Sequence, residues 1–382
     1  MELRKFVAPE CVFGVDARLL VASYASKLGA RKALVVTDPG VIAMGWARDV
    51  TAQLTAAGVP FAVFDSVTPN PRAEEVALGA DVYRAEDCNC IIAVGGGSPM
   101  DCAKGIGIVT TNNLPILEFE GVDQVTHPIP PLICIPTTGG SSADVSQFAI
   151  IEDIRRRVKV AIISKAIVPD VSLIDPVTLT SMSSELSADT GLDALTHAIE
   201  AYVSNAQSAI TDPLALHAIR LISAYLPATI SERGEVKYRA QIAVACMDAG
   251  LAFSNAGLGL VHAMAHSLGG LLDTAHGRSN ALLLPHVVNY NYPYAEERFR
   301  TIGEAMGLNM GGLSSEHALK ELLSGLAALR EAVGVFGGLR QQGVREADIP
   351  ALAENAMEDP DIATNPRIPT VREIEEVYER AL

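Results

Sequence analysis

The sequence has few basic residues and few aromatic residues for its length. Its 382 residues include 29 Lys and Arg against 45 Asp and Glu, which gives a formal net charge of −16. A surface with this excess of negative charge repels nucleic-acid phosphates and anionic membranes, so we expect neither as a partner. Small molecules are the expected ligands.

Long apolar runs and clustered cysteines are also missing. The N-terminus lacks the apolar core of a signal peptide, and no run approaches the about 20 apolar residues that cross a bilayer. The six cysteines are scattered, and only Cys88 and Cys90 are close neighbours. We therefore expect a cytoplasmic protein whose cysteines are mostly buried, reduced thiols, since thiolate metal sites usually use clustered cysteine pairs.

Two sequence patterns divide the chain into two parts, and the chain is long enough for two hydrophobic cores. Apolar runs typical of buried strands occur at 33–38, 61–64, 90–95, 132–136, 148–153, 159–164 and 167–176, and helical stretches are predicted at 16–29, 41–57 and 72–87. This alternation predicts an α/β domain over residues 1–182 with a doubly wound, Rossmann-like parallel sheet. Only helical spacing follows, which predicts an all-helical domain over residues 183–382.

A glycine-rich turn ends one predicted strand. In VGGGSPMD, at 94–101, three glycines are followed by a helix that is expected to begin at Ser98. Glycines let a phosphate approach the backbone, and a helix N-terminus offers free amides, so anion binding is one interpretation. A tight turn without a ligand is the other, because Met100 stands where the dinucleotide fingerprint has its third glycine.

Other candidate binding residues also follow predicted strands. Asp38 is placed like the acidic residue that accepts hydrogen bonds from an adenosine ribose, which favours NAD over NADP, although a turn-forming Asp before Pro-Gly explains it as well. Thr137 and Thr138 follow the strand LICIP and are either hydroxyl donors to a ligand or turn formers. Lys159 lies in a basic run that by itself indicates a solvated face.

Histidines concentrate in the second half of the chain. His262 and His266 are four residues apart and share one face of a helix, and a turn around Asp273 brings His276 back towards them. Asp193 and His197 repeat the same spacing. A lone histidine on an apolar helix is usually a core residue, but one carboxylate with three imidazoles suits Fe²⁺ or Zn²⁺. The glycines within residues 257–277 predict a close approach of helix and cofactor.

The motifs TDPG, TPNP, GGGSPMD, PTT, TGLDALTHAIEAY and GLGLVHAMAHSLGGLLDTAHG occur in an order and spacing that resemble the iron-containing (group III) alcohol dehydrogenases. The resemblance runs from about residue 5 to the C-terminus. It implies a dehydroquinate synthase-like fold, with catalysis in a cleft between an NAD-binding domain and a helical metal-binding domain. The implied metal ligands are Asp193, His197, His262 and His276, and the implied residue beside nicotinamide and substrate is His266. The implied NAD contacts are Asp38, Asn70, Gly96, Gly97, Ser98, Thr137, Thr138, Lys159 and Leu179.

Two places depart from the family pattern. After Thr138 the family usually reads close to AGTGSE, whereas this chain has GGSSAD at 139–144, so Asp144 replaces a longer carboxylate. Ala275 stands where proline commonly precedes the last ligand. Neither change removes a metal ligand, and together they indicate a divergent subgroup.

The resemblance implies a metal-dependent alcohol dehydrogenase that exchanges a hydride between a small primary alcohol or diol and NAD, in a homodimer or larger homo-oligomer. Two alternatives stay open. One is an enzyme like the dehydroquinate synthases or glycerol dehydrogenases, although no basic residues for gripping a phosphorylated substrate are evident. The other is a metal- and NAD-binding regulatory protein in which the loop at 139–144 has diverged.

Overall fold

The computed structural model describes residues 3–382, which form two compact units. The first runs from Val7 to Ser181, and the second from Met182 to Leu382 together with residues 3–6. The six cysteines, all among the described residues, form no disulfide, and five of them are buried, as expected.

The first unit is an α/β domain with two sheets. Its strands are β1 (Glu10–Phe13), β2 (Ala33–Val36), β3 (Phe61–Phe64), β4 (Cys90–Gly95), β5 (Gly121–Val122), β6 (Leu132–Pro136), β7 (Phe148–Asp153), β8 (Val158–Ile163) and β9 (Val171–Ile174), and its helices are α1 (Val21–Lys27), α2 (Pro39–Met44), α3 (Trp46–Ala56), α4 (Ala73–Ala85) and α5 (Gly97–Asn112). The larger sheet is parallel, with strand order β1-β9-β6-β4-β2-β3. The smaller sheet has the order β5-β8-β7, with β7 and β8 antiparallel.

The central strands are buried on both faces, which explains their uninterrupted apolar sequences. Along β2, Leu34 and Val36 pack in one core with residues of α4 and α5, while Ala33 and Val35 pack in another with residues of α1 and α3. Helices thus cover both faces, and the predicted doubly wound sheet is confirmed. The exact bounds predicted for β3, β4, β6 and β7 are confirmed as well.

Three local predictions for this unit were wrong. Strand β1 was not predicted, because it is four residues long, is only half-buried and pairs with β9 alone. The helix predicted at 16–29 is shorter, since Asp16 has φ of 67° and the chain forms a 3₁₀ turn at Ala17–Leu20 before α1 begins at Val21. The helix predicted at 41–57 is divided into α2 and α3 by Gly45, whose φ of 87° belongs to the left-handed region.

The second unit contains no strand within residues 182–382, which confirms the predicted all-helical architecture. Its helices are α6 (Ser184–Val203), α7 (Thr211–Ser231), α8 (Val236–Ala256), α9 (Leu260–Leu272), α10 (His276–Asn291), α11 (Glu296–Ala305), α12 (Ser315–Ala332), α13 (Ile349–Glu358) and α14 (Val371–Ala381). Helices α6, α7 and α8 pack against one another along their length. Helix α9 contacts α10 and α13.

One described helix, α7, is long and apolar enough by length and composition to cross a membrane. Helices α8 and α9 meet that criterion only as a pair, and the pair is bent by 99°. Because α7 contacts α6, α8 and α11, it has the surroundings of a bundle helix, and one such helix is weak support for a membrane span.

Candidate active site

The predicted nucleotide residues of the first unit gather at one edge of the parallel sheet. Strands β2 and β4 are neighbours, but the chain leaves β2 towards β3 on one side and leaves β4 towards β6 on the other. Doubly wound folds bind their ligands at such a switch point, outside the carboxyl ends of the strands. Asp38 follows β2, Gly96 to Ser98 follow β4, and Thr137 and Thr138 follow β6. Six of the predicted residues therefore share this edge.

The glycine turn makes room for the loop after β6. A Cβ atom on Gly96 would lie 3.0 Å from Oγ1 of Thr138, and one on Gly97 would lie 3.0 Å from Cβ of Ser141. Helix α5 starts at Gly97, and no side chain caps its first backbone amides. The turn thus has both features that an anion site requires, a bare backbone and a helix N-terminus.

Asp38 has a structural role whatever it binds. Its Oδ1 accepts a hydrogen bond of 2.9 Å from the backbone N–H of Val41, which makes Asp38 the N-cap of α2. The turn-forming interpretation of Asp38 is therefore confirmed, and its contact with a ribose stays a prediction.

The remaining predicted nucleotide residues come from separate elements. Nζ of Lys159, on β8, donates a 2.8 Å hydrogen bond to Oδ1 of Asn70, a residue with φ of 56° in the segment between β3 and α4. Two residues 89 positions apart are thus neighbours, and Lys159 is more than a surface lysine. Leu179 is buried in the 3₁₀ turn Thr178–Ser181, where Oγ1 of Thr178 donates to the carbonyl of Pro136 at the end of β6.

The divergent loop at 139–144 is well packed. Asp144 is buried, and its Oδ2 accepts a 2.6 Å hydrogen bond from Oγ of Ser172. Burial raises the pKa of Asp144, and the hydrogen bond from Ser172 acts against that rise. The shorter carboxylate of Asp144 therefore has a partner inside the protein, the hydroxyl group of Ser172. Beyond the loop, Nζ of the buried Lys104 donates to the carbonyl oxygens of Ser146 and Phe148.

The predicted metal ligands of the second unit lie on three helices. Asp193 and His197 are one turn apart on α6, His262 and His266 are one turn apart on α9, and His276 is the first residue of α10. The turn between α9 and α10 is made by Asp273, whose φ of 52° ends α9 in the left-handed conformation. It returns the chain, as predicted, and places the rings of His262 and His276 5.4 Å apart. Ala275 has φ of −65°, the value to which proline is restricted, so the backbone has a proline-compatible conformation here without proline.

One donor atom each from Asp193, His262 and His276 lies within 4.8 Å of the other two. Oδ1 of Asp193 is 3.7 Å from Nε2 of both histidines. The ring of His197 stacks on that of His262 with 4.5 Å between centroids, and on its other side contacts Phe253. All four predicted ligands are thus brought together, three with facing donor atoms and His197 alongside.

The charges in this cluster depend on one another. Burial alone would raise the pKa of Asp193, but the imidazoles of His197, His276 and His262 hold it well below its usual range. Burial alone would lower the pKa of His262, but Asp193 and Glu200 raise it to about 10. The cluster therefore stabilises a positive charge at its centre, which is the electrostatic condition for holding a cation.

Two residues of this cluster were not predicted from the sequence. Glu200, on α6, accepts a 2.6 Å hydrogen bond from Nδ1 of His262, which leaves Nε2 for a metal. Asn280, on α10, donates through Nδ2 to Oδ1 of Asp193 at 2.6 Å, and the same nitrogen is 3.1 Å from Nε2 of His262 and 3.2 Å from Nε2 of His276. Glu200 follows the predicted ligand His197 by three residues, and Asn280 follows the predicted ligand His276 by four. A polar residue about one helical turn after a ligand was the signal in the sequence for both.

The residues fit a divalent metal. The amide nitrogen of Asn280 lies among three of the predicted ligand atoms, at 2.6 to 3.2 Å from each. Metal–ligand bonds to nitrogen and oxygen are about 2.0–2.2 Å, so an ion at that point requires the amide of Asn280 to move away and the ligand atoms to close by about 1 Å. The donor set contains no thiolate and is typical of iron or zinc. Two of the glycines that predicted a close approach, Gly257 and Gly259, leave room for protein atoms, since Cβ atoms there would meet Thr364 and Glu200.

Comparisons with known proteins agree with this geometry along the whole chain. Residues 8–176 match the model of iron-containing alcohol dehydrogenases, and residues 187–382 match that of the C-terminal part of the Fe-containing alcohol dehydrogenase family. The 1,3-propanediol dehydrogenase of Citrobacter freundii is 42% identical over 97% of this chain and 96% of its own length. The NAD-dependent methanol dehydrogenase of Bacillus methanolicus is 37% identical over 99% of both chains.

Solved structures show the same likeness. The crystal structure of a 1,3-propanediol oxidoreductase has a TM-score of 0.96 and 39% identity to this chain, and the match covers 100% of both chains. Fold, site geometry and sequence thus confirm the resemblance that the motifs indicated. The chain belongs to the iron-containing alcohol dehydrogenase family.

Proposed function

We propose that the protein is an NAD-dependent, metal-dependent dehydrogenase that interconverts a small primary alcohol or diol and its aldehyde. The observation that carries this proposal is the cluster of one carboxylate and three imidazoles, all buried except the partly exposed His276, in a chain of this family. Relatives named for 1,3-propanediol and methanol support a small alcohol as the substrate.

Asp193, His197, His262 and His276 would hold the metal, as Fe²⁺ or Zn²⁺. When bound, such an ion lowers the pKa of an alcohol hydroxyl and polarises an aldehyde carbonyl. Glu200 keeps His262 in the tautomer whose Nε2 is a ligand. His266 would take up the proton that the hydroxyl loses, since its ring stacks on that of His276 with 5.2 Å between centroids.

The edge of the parallel sheet would bind NAD. The N-terminus of α5, with Gly96, Gly97 and Ser98, is suited to the pyrophosphate, and Thr137 and Thr138 add hydroxyl groups at the same edge. Asp38 would accept hydrogen bonds from the adenosine ribose, and its charge would repel a 2′-phosphate. Asn70, Lys159 and Leu179 complete the proposed set.

Assembly and compartment are further parts of the proposal. We infer a cytoplasmic homodimer or larger homo-oligomer, with residues 1–182 as the nucleotide-binding domain and 183–382 as the metal-binding and catalytic domain. Light scattering coupled to size exclusion gives the mass in solution, and the mass of a monomer would contradict the inferred homo-oligomer.

The test is an NADH-formation assay across short-chain alcohols and diols, with protein loaded with Fe²⁺ or Zn²⁺. Metal analysis should find about one ion per chain, and His262→Ala should lose that ion together with activity. Retention of the metal by His262→Ala would refute the ligand assignment. NADH formation would exclude the regulatory alternative, and turnover of a phosphorylated substrate without net NADH would favour a chemistry like that of dehydroquinate synthase.

A further inference from the structure

Asn365 is a buried asparagine that the proposed function has not used. It directly follows the 3₁₀ turn Pro360–Thr364 and is 1% exposed. An asparagine side chain can donate two hydrogen bonds and accept two, and Asn365 makes all four with protein groups, one of them from Nδ2 to the carbonyl oxygen of Arg367 at 2.6 Å. Because a buried polar group with every hydrogen bond made holds its partners rigidly, the other partners show what Asn365 fixes.

One partner is the start of α9, the helix that carries His262. Oδ1 of Asn365 accepts the backbone N–H of Leu260 at 3.1 Å. Leu260 is the first residue of α9, and its N–H is among those that have no acceptor within the helix. His262 lies two residues further along the same helix. The amide of Asn365 therefore fixes the helix end that is nearest to this proposed metal ligand.

A second partner is the end of α10, the helix that carries His276. Nδ2 of Asn291, the last residue of α10, donates to Oδ1 of Asn365, and Nδ2 of Asn365 donates in return to Oδ1 of Asn291, both at 2.9 Å. Residues 273–275 join the end of α9 to the start of α10. The two helices are thus linked at both ends, once by the chain and once by Asn365, which limits their relative movement.

The third partner follows α6, the helix that carries Asp193 and His197. Nδ2 of Asn205 donates to the backbone carbonyl oxygen of Asn365 at 2.5 Å, and the backbone N–H of Asn205 donates to the carbonyl oxygen of Thr364 at 3.0 Å. Asn205 lies two residues after the end of α6. Asn365 is therefore hydrogen-bonded at the ends of all three helices that carry proposed metal ligands.

We propose that Asn365 is a positioning residue for the metal centre and that it sets the separation of α6, α9 and α10. This inference rests on the proposed metal site. Ligand atoms have to lie about 2 Å from an ion, so a shift of about 0.5 Å in one helix weakens binding. The hydrogen bonds of Asn365 within the described part of the chain go to helix ends and to nearby backbone, so it acts on the ligands through the helices that carry them.

Asn365→Ala tests the proposal through the affinity for Zn²⁺, measured by competition with a chelator of known affinity. The variant loses the links to Leu260 and Asn291, so the affinity should fall about 10- to 100-fold. The matched control is Ser267→Ala, which removes a buried 2.9 Å hydrogen bond from α9 to the carbonyl oxygen of Leu352 in α13, a helix without proposed ligands. Both variants should have a lower Tm, but the control should bind Zn²⁺ within about twofold of the wild type.

Two results would refute the positioning role. One is a smaller loss of Zn²⁺ affinity in Asn365→Ala than expected, and the other is an equal loss in Ser267→Ala, which would indicate general destabilisation. The visible absorption of Co²⁺-loaded protein gives a second readout, because it depends on the geometry of the ligands around the ion. The spectrum should change in Asn365→Ala and stay that of the wild type in Ser267→Ala. A wild-type spectrum in Asn365→Ala would equally refute the role.

Asn291→Ala keeps the proposal testable if Asn365→Ala does not fold. It removes the two hydrogen bonds between the asparagine side chains and leaves the N–H of Leu260 bonded to Asn365. Its affinity for Zn²⁺ should fall about 3- to 10-fold, the size of one net hydrogen bond. A smaller change would show that the link between α9 and α10 does not set the ligand geometry.

The outcome separates this inference from the proposed function. If the wild type binds no Zn²⁺, or if His262→Ala binds it as well as the wild type, the proposed metal site is itself wrong. If the wild type binds one ion that His262→Ala loses and Asn365→Ala keeps at wild-type affinity, the metal site stands and only the role of Asn365 is wrong.

Discussion

Glu200 and His262 are joined in a way that couples a helix start to a metal ligand. Oε2 of Glu200 accepts the Nδ1–H of His262 at 2.6 Å, and the same carboxylate accepts the backbone N–H groups of Gly259 and Val261 at 3.1 and 2.7 Å. Because these amides belong to the unpaired first turn of α9, one side chain caps the helix and orients the imidazole.

Replacing Glu200 by Gln should weaken metal binding while the protein stays folded. The amide keeps one acceptor oxygen but loses the charge that makes His262 a stronger ligand, so metal affinity should fall about 10- to 100-fold. Competition with a chelator of known affinity measures this change. Glu185→Gln, at an exposed position of the same helix, is the matched control and should bind metal like the wild type. Equal affinities in the two variants would contradict the role of Glu200.

Without metal, the protein should lose stability as the pH rises. The folded protein raises the pKa of His262 from 6.5 to about 10, against the lowering effect of burial. The resulting stability is fully present below about pH 6.5 and is lost as the pH rises through about 10. Its size is on the order of a few kcal/mol. Thermal unfolding of metal-free protein between pH 6.5 and 10 should therefore show a falling Tm.

Two controls accompany that measurement. Metal-free His262→Gln should have a flatter profile over the same range, since it lacks the titrating group. Metal-loaded protein should also have a flatter profile, because a ligating imidazole is already deprotonated. A Tm of metal-free wild type that rises with pH would refute the protonated state of His262.

Asp38 offers a test that separates its cap from its charge. Asp38→Asn keeps a side-chain oxygen for the N–H of Val41 and removes the negative charge, so NADP use should increase relative to NAD while Tm changes little. Asp38→Gly should relax the coenzyme preference too and should cost only a few tenths of a kcal/mol at the cap. An unchanged ratio of the two coenzymes in both variants would remove Asp38 from the ribose site.

Gly259 should tolerate no side chain. A Cβ atom there would lie 2.9 Å from Oδ1 of Asn365 and 3.0 Å from Oε1 of Glu200, both held by buried hydrogen bonds. Gly259→Ala should therefore lower the free energy of unfolding by about 1–3 kcal/mol and reduce metal content. Gly234→Ala has no atom within 4 Å of the new methyl group and is the control, with an expected change of less than about 1 kcal/mol. Chemical denaturation of both variants gives the comparison.

Periodic and strongly apolar features were readable from the sequence. The runs that became β4 and β6 are buried on both faces, and no polar residue interrupts them, so their bounds were predicted without error. The pairs Asp193 with His197 and His262 with His266 were predicted because four-residue spacing on a helix fixes a shared face. Family motifs assigned the ligand set, which spacing alone left open.

Features that depend on distant contacts were not readable. Nothing near Glu200 in the sequence shows that it caps a helix 60 residues later, and nothing near Asp359 shows that it faces His266. The division of the predicted helix at Gly45 and the edge strand β1 depend on local φ and on one neighbouring strand. Such pairings are set by packing, which local sequence constrains weakly.

The uneven burial of the proposed ligands has a consequence for how an ion is exchanged. The side chains of His262 and Asp193 are 1% and 5% exposed, whereas that of His276 is 28% exposed. An incoming ion therefore meets His276 first, and a chelator reaches the ion from the same side. His276 is the first residue of α10 and follows the left-handed turn at Asp273, whereas the other proposed ligands lie inside α6 and α9. Rates of metal uptake and release should accordingly depend more on the stiffness of residues 273–275 than on the buried ligands.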